Sequence, residues 1–250
     1  MTGRDLRPRL RIGFVTPHPL NDTLQYEFYL MAPPGIMAMT AGLEIAAYSR
    51  AAVEDQLTVL DRRIDQLMRR GAGRIVISGV PVAISLGLER MRNLLGDIAA
   101  KWGVPADTDL EAIIAGAKHL GIGRIAAATR WQQAVNDRLA DYLAEAGLEA
   151  VAIANSGRTM EENAGLDDET GMRLASELGR EVLRRAGGAE GLMMPGGRWI
   201  TLGAIRELEV EFGIAVITNH SASLWAALSA AGIREPVAGS GRLLESLAGD

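Results

Sequence analysis

"GLMMPGGRWITLGAI", residues 191–205, is an apolar run of strand length that stops at Pro195-Gly196-Gly197 and resumes with helical spacing. A strand that turns straight into a helix is the repeating unit of a parallel α/β sheet. Ligands of open α/β sheets bind at the carboxyl ends of strands, which is where this turn lies. The same unit recurs along the chain. "LRIGFVTP" (10–17), "LEIAAYS" (43–49), "RIVISG" (74–79), "RIAAAT" (124–129), "EAVAIA" (149–154), "GLMMPG" (191–196) and "IAVITN" (214–219) read as strands. Between them, segments 51–70, 85–101, 132–146, 168–186 and 202–212 carry apolar residues at three- and four-residue spacing, as amphipathic helices do. Gly71, Gly103, Gly147 and Gly187-Gly188 punctuate the helix ends.

The two halves of the chain resemble each other. Arg11-Ile12 recurs as Arg124-Ile125, "GAGRIVISG" (71–79) as "GAEGLMMPGG" (188–197), and "KWGVPAD" (101–107) as "EFGIAVITN" (211–219), at offsets of about 110–117 residues. The predicted fold is α/β: two pseudo-symmetric Rossmann-like lobes, each a mainly parallel sheet flanked by helices, with the site in the cleft between them. The boundary is expected near residues 115–121. That makes 1–117 the first lobe and 118–250 the second, with the C-terminal segment crossing back onto the first.

Composition narrows the function. A net charge of −5 provides no basic field for nucleic acid, and an aromatic content of 4% supplies few stacking platforms. No apolar run approaches the ~18 residues of a membrane span. The basic start "MTGRDLRPRLRIGFVTP" lacks the apolar length and the cleavage site of a signal peptide, so a cytoplasmic location is expected. With no cysteine, disulfides, thiolate metal sites and thiol catalysis are excluded. "GIGRIA" (121–126) lacks the third glycine of the dinucleotide fingerprint and precedes its strand. The chain carries no Walker loop, no Ser-centred nucleophile elbow and few histidines near carboxylates, so neither a cofactor nor a metal is expected.

Several stretches, in this order and spacing, resemble the aspartate/glutamate racemase superfamily. Within it they are most similar to arylmalonate decarboxylase and maleate cis-trans isomerase. They are "NDTLQYEF" (21–28), "HLGIGRIAAATRWQQAVNDRLADYLAEAGL" (119–148), "GLMMPGGRWITLGAIRELEVEFGIAVIT" (191–218), "TNHSASLW" (218–225) and "GSGRLLES" (239–246). The resemblance implies a cleft for a small carboxylate-bearing molecule, with chemistry at two pseudo-symmetric positions after the third strand of each lobe. Racemases and the isomerase carry cysteines at both, and the decarboxylase at the second only. Here those positions match Gly79 and Pro195, neither of which can exchange a proton. The hydroxyl residues that hold the oxyanion in the decarboxylase match Val80-Pro81, and its tyrosine after the fourth strand matches Trp131. Members of the family often associate, which leaves a homo-oligomer open.

The residue types then supply candidates for the missing chemistry. His220, after the last strand, is the best-placed histidine for acid–base work, or equally a helix-start residue bonded to backbone. His18, between two prolines, and Asp22 are the other proton-handling candidates, although Asp22 is also a natural helix cap. Asn21, Thr23 and Asn219, with the backbone at Gly79, Gly196 and Gly197, are expected to hold the anion. Arg198 offers a bidentate fork to a carboxylate, and Tyr48 lines the pocket or its rim. Val80, Pro81, Trp131 and Pro195 give the walls an apolar character. His119, at a helix C-terminus, reads as structural, and Thr108 to Glu111 as a capping box. The expected function is an isomerase or lyase acting on a small carboxylic acid by non-thiol acid–base chemistry. The alternative is a non-catalytic carboxylate-binding protein. An imidazole within reach of a bound carboxylate separates the two.

Overall fold

The computed structural model describes residues 7–248, so the basic head, residues 1–6, lies outside the described residues. The first sheet is built from β1 (Leu10–Thr16), β2 (Ile36–Gly42), β3 (Arg74–Ile77) and β4 (Ala106–Thr108). Its helices are α1 (Asp22–Met31), α2 (Arg50–Leu57), α3 (Leu60–Met68), α4 (Val80–Leu86), α5 (Leu88–Trp102) and α6 (Asp109–His119). The second sheet is built from β5 (Arg124–Thr129), β6 (Glu149–Asn155), β7 (Gly191–Met194) and β8 (Ala215–Thr218). Around it lie α7 (Gln133–Glu145), α8 (Met160–Ala164), α9 (Asp168–Arg185), α10 (Leu202–Phe212) and α11 (Asn219–Ala230). The chain then runs through α12 (Arg242–Glu245) and a 3-10 turn at Ser246–Ala248.

Both sheets are parallel, and their strand orders correspond: β2-β1-β3-β4 and β6-β5-β7-β8. The duplication read from the repeats is therefore a duplication of topology. Helix starts follow local chemistry. The side chains of Asn21, Ser49, Thr108 and Asp167 each accept a backbone N–H of the first turn, and Thr159 and Thr218 form full capping boxes. At Thr108 only half of the expected box forms. The hydroxyl accepts the Glu111 N–H, while the Glu111 carboxylate turns to Arg92 and Tyr142.

One expected strand is misplaced. Residues 43–49 form a connecting loop, and the second strand is Ile36–Gly42. Leu43 and Ile45 are buried because their N–H groups bond the Thr16 and Pro17 carbonyls, which mimics strand pairing for two residues beyond β2.

Alternation along β1 sends Ile12 and Phe14 to one face and Val15 to the other. Ile12 and Phe14 meet Leu24 and Phe28 of α1, Leu224 and Leu228 of α11, and Leu244 and Leu247 of the tail. Each such buried side chain contributes about 1.5–3 kcal/mol of transfer free energy. This cluster draws on both sheets' helices, so the lobes share a core. α6 and α11, the helices after the last strand of each sheet, pack against each other. That contact brings the carboxyl ends of the two sheets face to face. Leu243 of the tail packs onto Gly116 of α6.

Candidate active site

The cleft between the strand ends is lined from the first lobe by Pro17, His18, Asn21, Tyr48, Ser78, Gly79, Val80 and Pro81. Arg130, Trp131, Met160, Asn163, Gly196, Gly197 and Arg198 line it from the second. Pro17 and His18 follow β1, Ser78 to Pro81 follow β3, Arg130 and Trp131 follow β5, and Gly196 to Arg198 follow β7. The short helix α8 contributes Met160 and Asn163.

Behind this wall the two lobes are tied by Asp109, the first residue of α6, which is 2% exposed. Its Oδ2 accepts the Ser78 hydroxyl at 2.7 Å, the Gly79 N–H at 2.8 Å and the Asn219 side-chain amide at 3.0 Å. Its Oδ1 accepts the Ser223 hydroxyl at 2.9 Å. Asn219 in turn accepts the Gly196 N–H at 2.9 Å. A buried carboxylate is stable only with donors of this kind around it. The chain Gly79–Asp109–Asn219–Gly196 thus fixes both pseudo-symmetric turns. It also corrects an expectation. The Gly79 and Gly196 amides and the Asn219 side chain are committed inside the protein and do not serve as the anion donors.

Glycine at the two turns has a backbone reason. Gly79 has φ +102° and Gly196 φ +129°, a region that side chains avoid. A Cβ on Gly196 would lie 3.4 Å from Trp199 Nε1, and one on Gly79 3.1 Å from Pro17 Cγ. Pro195 is buried behind its turn and takes no part in the wall.

His220 does not line the cleft. Its imidazole is 4% exposed, with Nδ1 paired to Glu27 Oε2 and Nε2 buried near Gly197 without a hydrogen-bond partner. Glu27 also accepts the Thr201 and Leu202 N–H groups at the start of α10 and the Thr201 hydroxyl at 3.1 Å. Burial opposes the imidazolium. The Glu27 hydrogen bond and charge, with help from Asp109 and the Gly197 backbone, outweigh it and raise the His220 pKa above its usual 6.5. Burial likewise pushes the Glu27 carboxyl up, but His220 and the α10 amides bring it below 4.5. His220 is held as a charged partner in an interlobe brace, which corrects its candidacy as the proton-transfer group.

His18 has the opposite environment. Its ring lines the cleft, its Nε2 is buried without a protein partner, and its pKa is lowered by burial first and by the Arg198 charge second. At neutral pH it is an uncharged imidazole. Asn21 lines the cleft while capping α1 through its Oδ1 at 3.3 Å from the Leu24 N–H. Asp22 and Thr23 stand outside the wall. Asp22 is exposed, and its carboxylate accepts the Thr23 N–H at 2.8 Å, so the structure does not bring either residue into the cleft wall. His119 bonds Ser246 at 3.0 Å and packs on Trp225, far from this chemistry in role.

Besides Asp109, sequence reasoning missed Arg130. It is 4% exposed, its guanidinium lies 4.9 Å from the Trp199 ring, and its Nη1 is buried without a hydrogen-bond partner. Burial and the charges of Arg198 and Arg158 lower its pKa to about 10, with only Tyr48 acting in the other direction. Its position directly after "RIAAAT" was the available signal, because strand ends carry the site. Among the described residues, no group of three or more His, Asp or Glu side chains could hold a metal ion.

Two four-stranded parallel sheets with a shared cleft at their strand ends define the two-lobed α/β fold of the aspartate/glutamate racemase superfamily. A sequence model of arylmalonate decarboxylase matches residues 12–244, and the chain belongs to that family. Arylmalonate decarboxylase of Bordetella bronchiseptica is 26% identical over 200 residues, 80% of this chain and 82% of that protein. A crystal structure of arylmalonate decarboxylase superposes with a TM-score of 0.78 at 27% identity, covering 94% of this chain and 99% of that one. Maleate cis-trans isomerase of Nocardia farcinica, in a variant with a covalently bound succinylcysteine intermediate, has a TM-score of 0.82. At 19% identity, over 95% of this chain and 98% of that one, it shares the fold.

Proposed function

We propose that this chain is a lyase or isomerase that moves a proton at the carbon beside the carboxylate of a small acid, with His18 in place of the family's thiol. It would work in the cytoplasm and without a cofactor. The observation that carries the reading is the His18 ring, uncharged, with Nε2 free of protein partners in the cleft wall and Arg198 close enough to repel its proton. A general base needs that state at neutral pH. A wall of apolar groups and backbone donors alone would favour a simple binder.

The chemistry follows from the neighbours. A carboxylate bound at Arg198 offsets the guanidinium charge, and the protonated form of His18 becomes accessible. In proton abstraction, Nε2 takes the α-proton and the electron pair passes into the carboxylate as an enediolate. In decarboxylation, the bond to the departing carbon dioxide leaves its pair on the α-carbon, and His18, having taken a proton from solvent once the carboxylate is bound, donates it there. Pro17, Val80, Pro81, Trp131 and Met160 supply an apolar surface for the rest of the acid. Substrates named for the relatives, an arylmalonate and maleate, support small carboxylic acids as the class.

The test is proton NMR of the purified protein with a panel of arylmalonates, maleate and α-aryl monoacids in D2O. Carbon dioxide loss, isomerisation or α-deuteration that disappears in His18→Gln is expected. Full turnover in that variant would refute the assignment.

A further inference from the structure

Among the described residues, Arg130 is a buried cation without an anionic partner. Its neighbours are the Trp199 ring, the Tyr48 hydroxyl and two further guanidiniums, Arg198 and Arg158. Among the described residues, the other charged side chains buried as deeply are satisfied: Glu27 pairs with His220, and Asp109 accepts four donors. Desolvating a guanidinium and placing it beside others of its own sign is costly, and folds keep such an arrangement where a ligand supplies the missing charge. Arg198, on the β7–α10 turn, lines the same cleft and makes no ion pair within the described residues. Meanwhile the amide and hydroxyl donors at the Gly79 and Gly196 turns are spent on Asp109 and Asn219.

From this geometry we infer that Arg130 and Arg198 together form the anion-recognition site of the cleft, and that the site takes a ligand carrying two negative charges. Two anionic groups on one small molecule, or a single phosphate group, satisfy the same pair of forks. A monocarboxylate leaves one guanidinium bare. The inference deepens the proposed function and rests on its reading of the cleft as the substrate site, but it concerns binding and is separable from turnover. Arg130 is then a specificity-determining residue, since its charge distinguishes a dianion from a monoanion of similar shape.

The experiment compares calorimetric binding and thermal unfolding of wild type, Arg130→Met and Arg198→Met with malonate, inorganic phosphate and acetate. Wild type is expected to bind a dianion at least ~10-fold more tightly than acetate, and Arg130→Met to lose that preference. Without ligand, Arg130→Met should melt no lower than wild type, because an unpaired buried charge has been removed. A preference for malonate over phosphate identifies a dicarboxylate, and the reverse a phosphate-bearing ligand. Equal binding of acetate and both dianions to wild type would overturn the inference. So would an Arg130→Met variant that melts lower yet keeps its preference, since Arg130 would then be structural. Arg130-dependent dianion binding with no turnover of any acid would leave the anion site standing and refute the enzymatic reading. Turnover of monoacids unaffected by Arg130→Met would do the opposite.

Discussion

The Glu27 carboxylate and the His220 imidazole, 193 residues apart in sequence, form a fully buried ion pair across the lobe boundary. The same carboxylate accepts the first N–H groups of α10, where the helix dipole favours a negative charge. One side chain therefore anchors α1, α10 and α11. Glu27→Gln or His220→Gln should each cost about 3–5 kcal/mol, because each strands a buried charge. The double variant should lose less than the sum of the two. Urea denaturation of the three variants measures this.

The pair also sets a pH window. His220 titrates above 6.5 in the folded protein, so its contribution is complete below 6.5 and is lost as pH rises through the raised value. Glu27 titrates below 4.5, so its contribution is complete above 4.5 and is lost as pH falls through the lowered value. The stability difference between wild type and either variant should be greatest between those reference values and shrink on both sides.

Asp109 holds both turns of the cleft, and an amide in its place would turn an N–H toward donors. Asp109→Asn should destabilise by about 3 kcal/mol or more and lower turnover with it. Ser223→Ala, which removes one donor and leaves the carboxylate three, should cost only about 1 kcal/mol. Comparable losses in the two variants would argue against the network as the organiser of the site.

Reintroducing a thiol should be asymmetric. Gly79→Cys forces a side chain into a positive-φ conformation beside Pro17 and should cost about 1–2 kcal/mol. Pro195→Cys meets no such φ and should stay within ~1 kcal/mol of wild type. Thermal melts of the two variants decide it.

Much of this architecture is legible in the chain. The alternation of strands and helices and the internal repeat specify two equivalent parallel sheets. Strand-end positions place Gly79, Val80, Trp131 and Arg198 beside the cleft, whereas Tyr48, expected at the end of a strand over 43–49, reaches it from a loop. The second strand is missed because Leu43 and Ile45 are buried by a loop, while "IMAMTAG" (36–42) has half-buried residues that blur its pattern. The roles of Glu27 and Asp109 are illegible for a different reason. Each depends on what faces it across the cleft, and the partners of Glu27 and Asp109 lie 193 and 110 residues away. A buried carboxylate and a surface one look alike in sequence. Sequence position alone favours His220 over His18; both rings carry a buried Nε2 without a hydrogen-bond partner, and the Glu27 pairing of His220 and the place of His18 in the cleft wall distinguish a brace from a base.

If His18 is the base, its lowered pKa keeps it active at neutral pH and places the acid limb of the kcat/KM profile below 6.5. Removing the Arg198 charge relaxes that shift. Arg198→Gln should move the limb toward higher pH, even as substrate binding weakens. An unmoved limb would detach Arg198 from His18.

The most direct measurement is the rate of α-deuterium incorporation from D2O into an acid turned over by the wild-type protein, compared with His18→Gln and His220→Gln at neutral pH. Assignment of the base to His18 requires that His18→Gln abolish exchange while retaining ligand binding, and that His220→Gln lower stability yet leave exchange measurable in the molecules that remain folded. Exchange that survives in His18→Gln and vanishes in folded His220→Gln would contradict it.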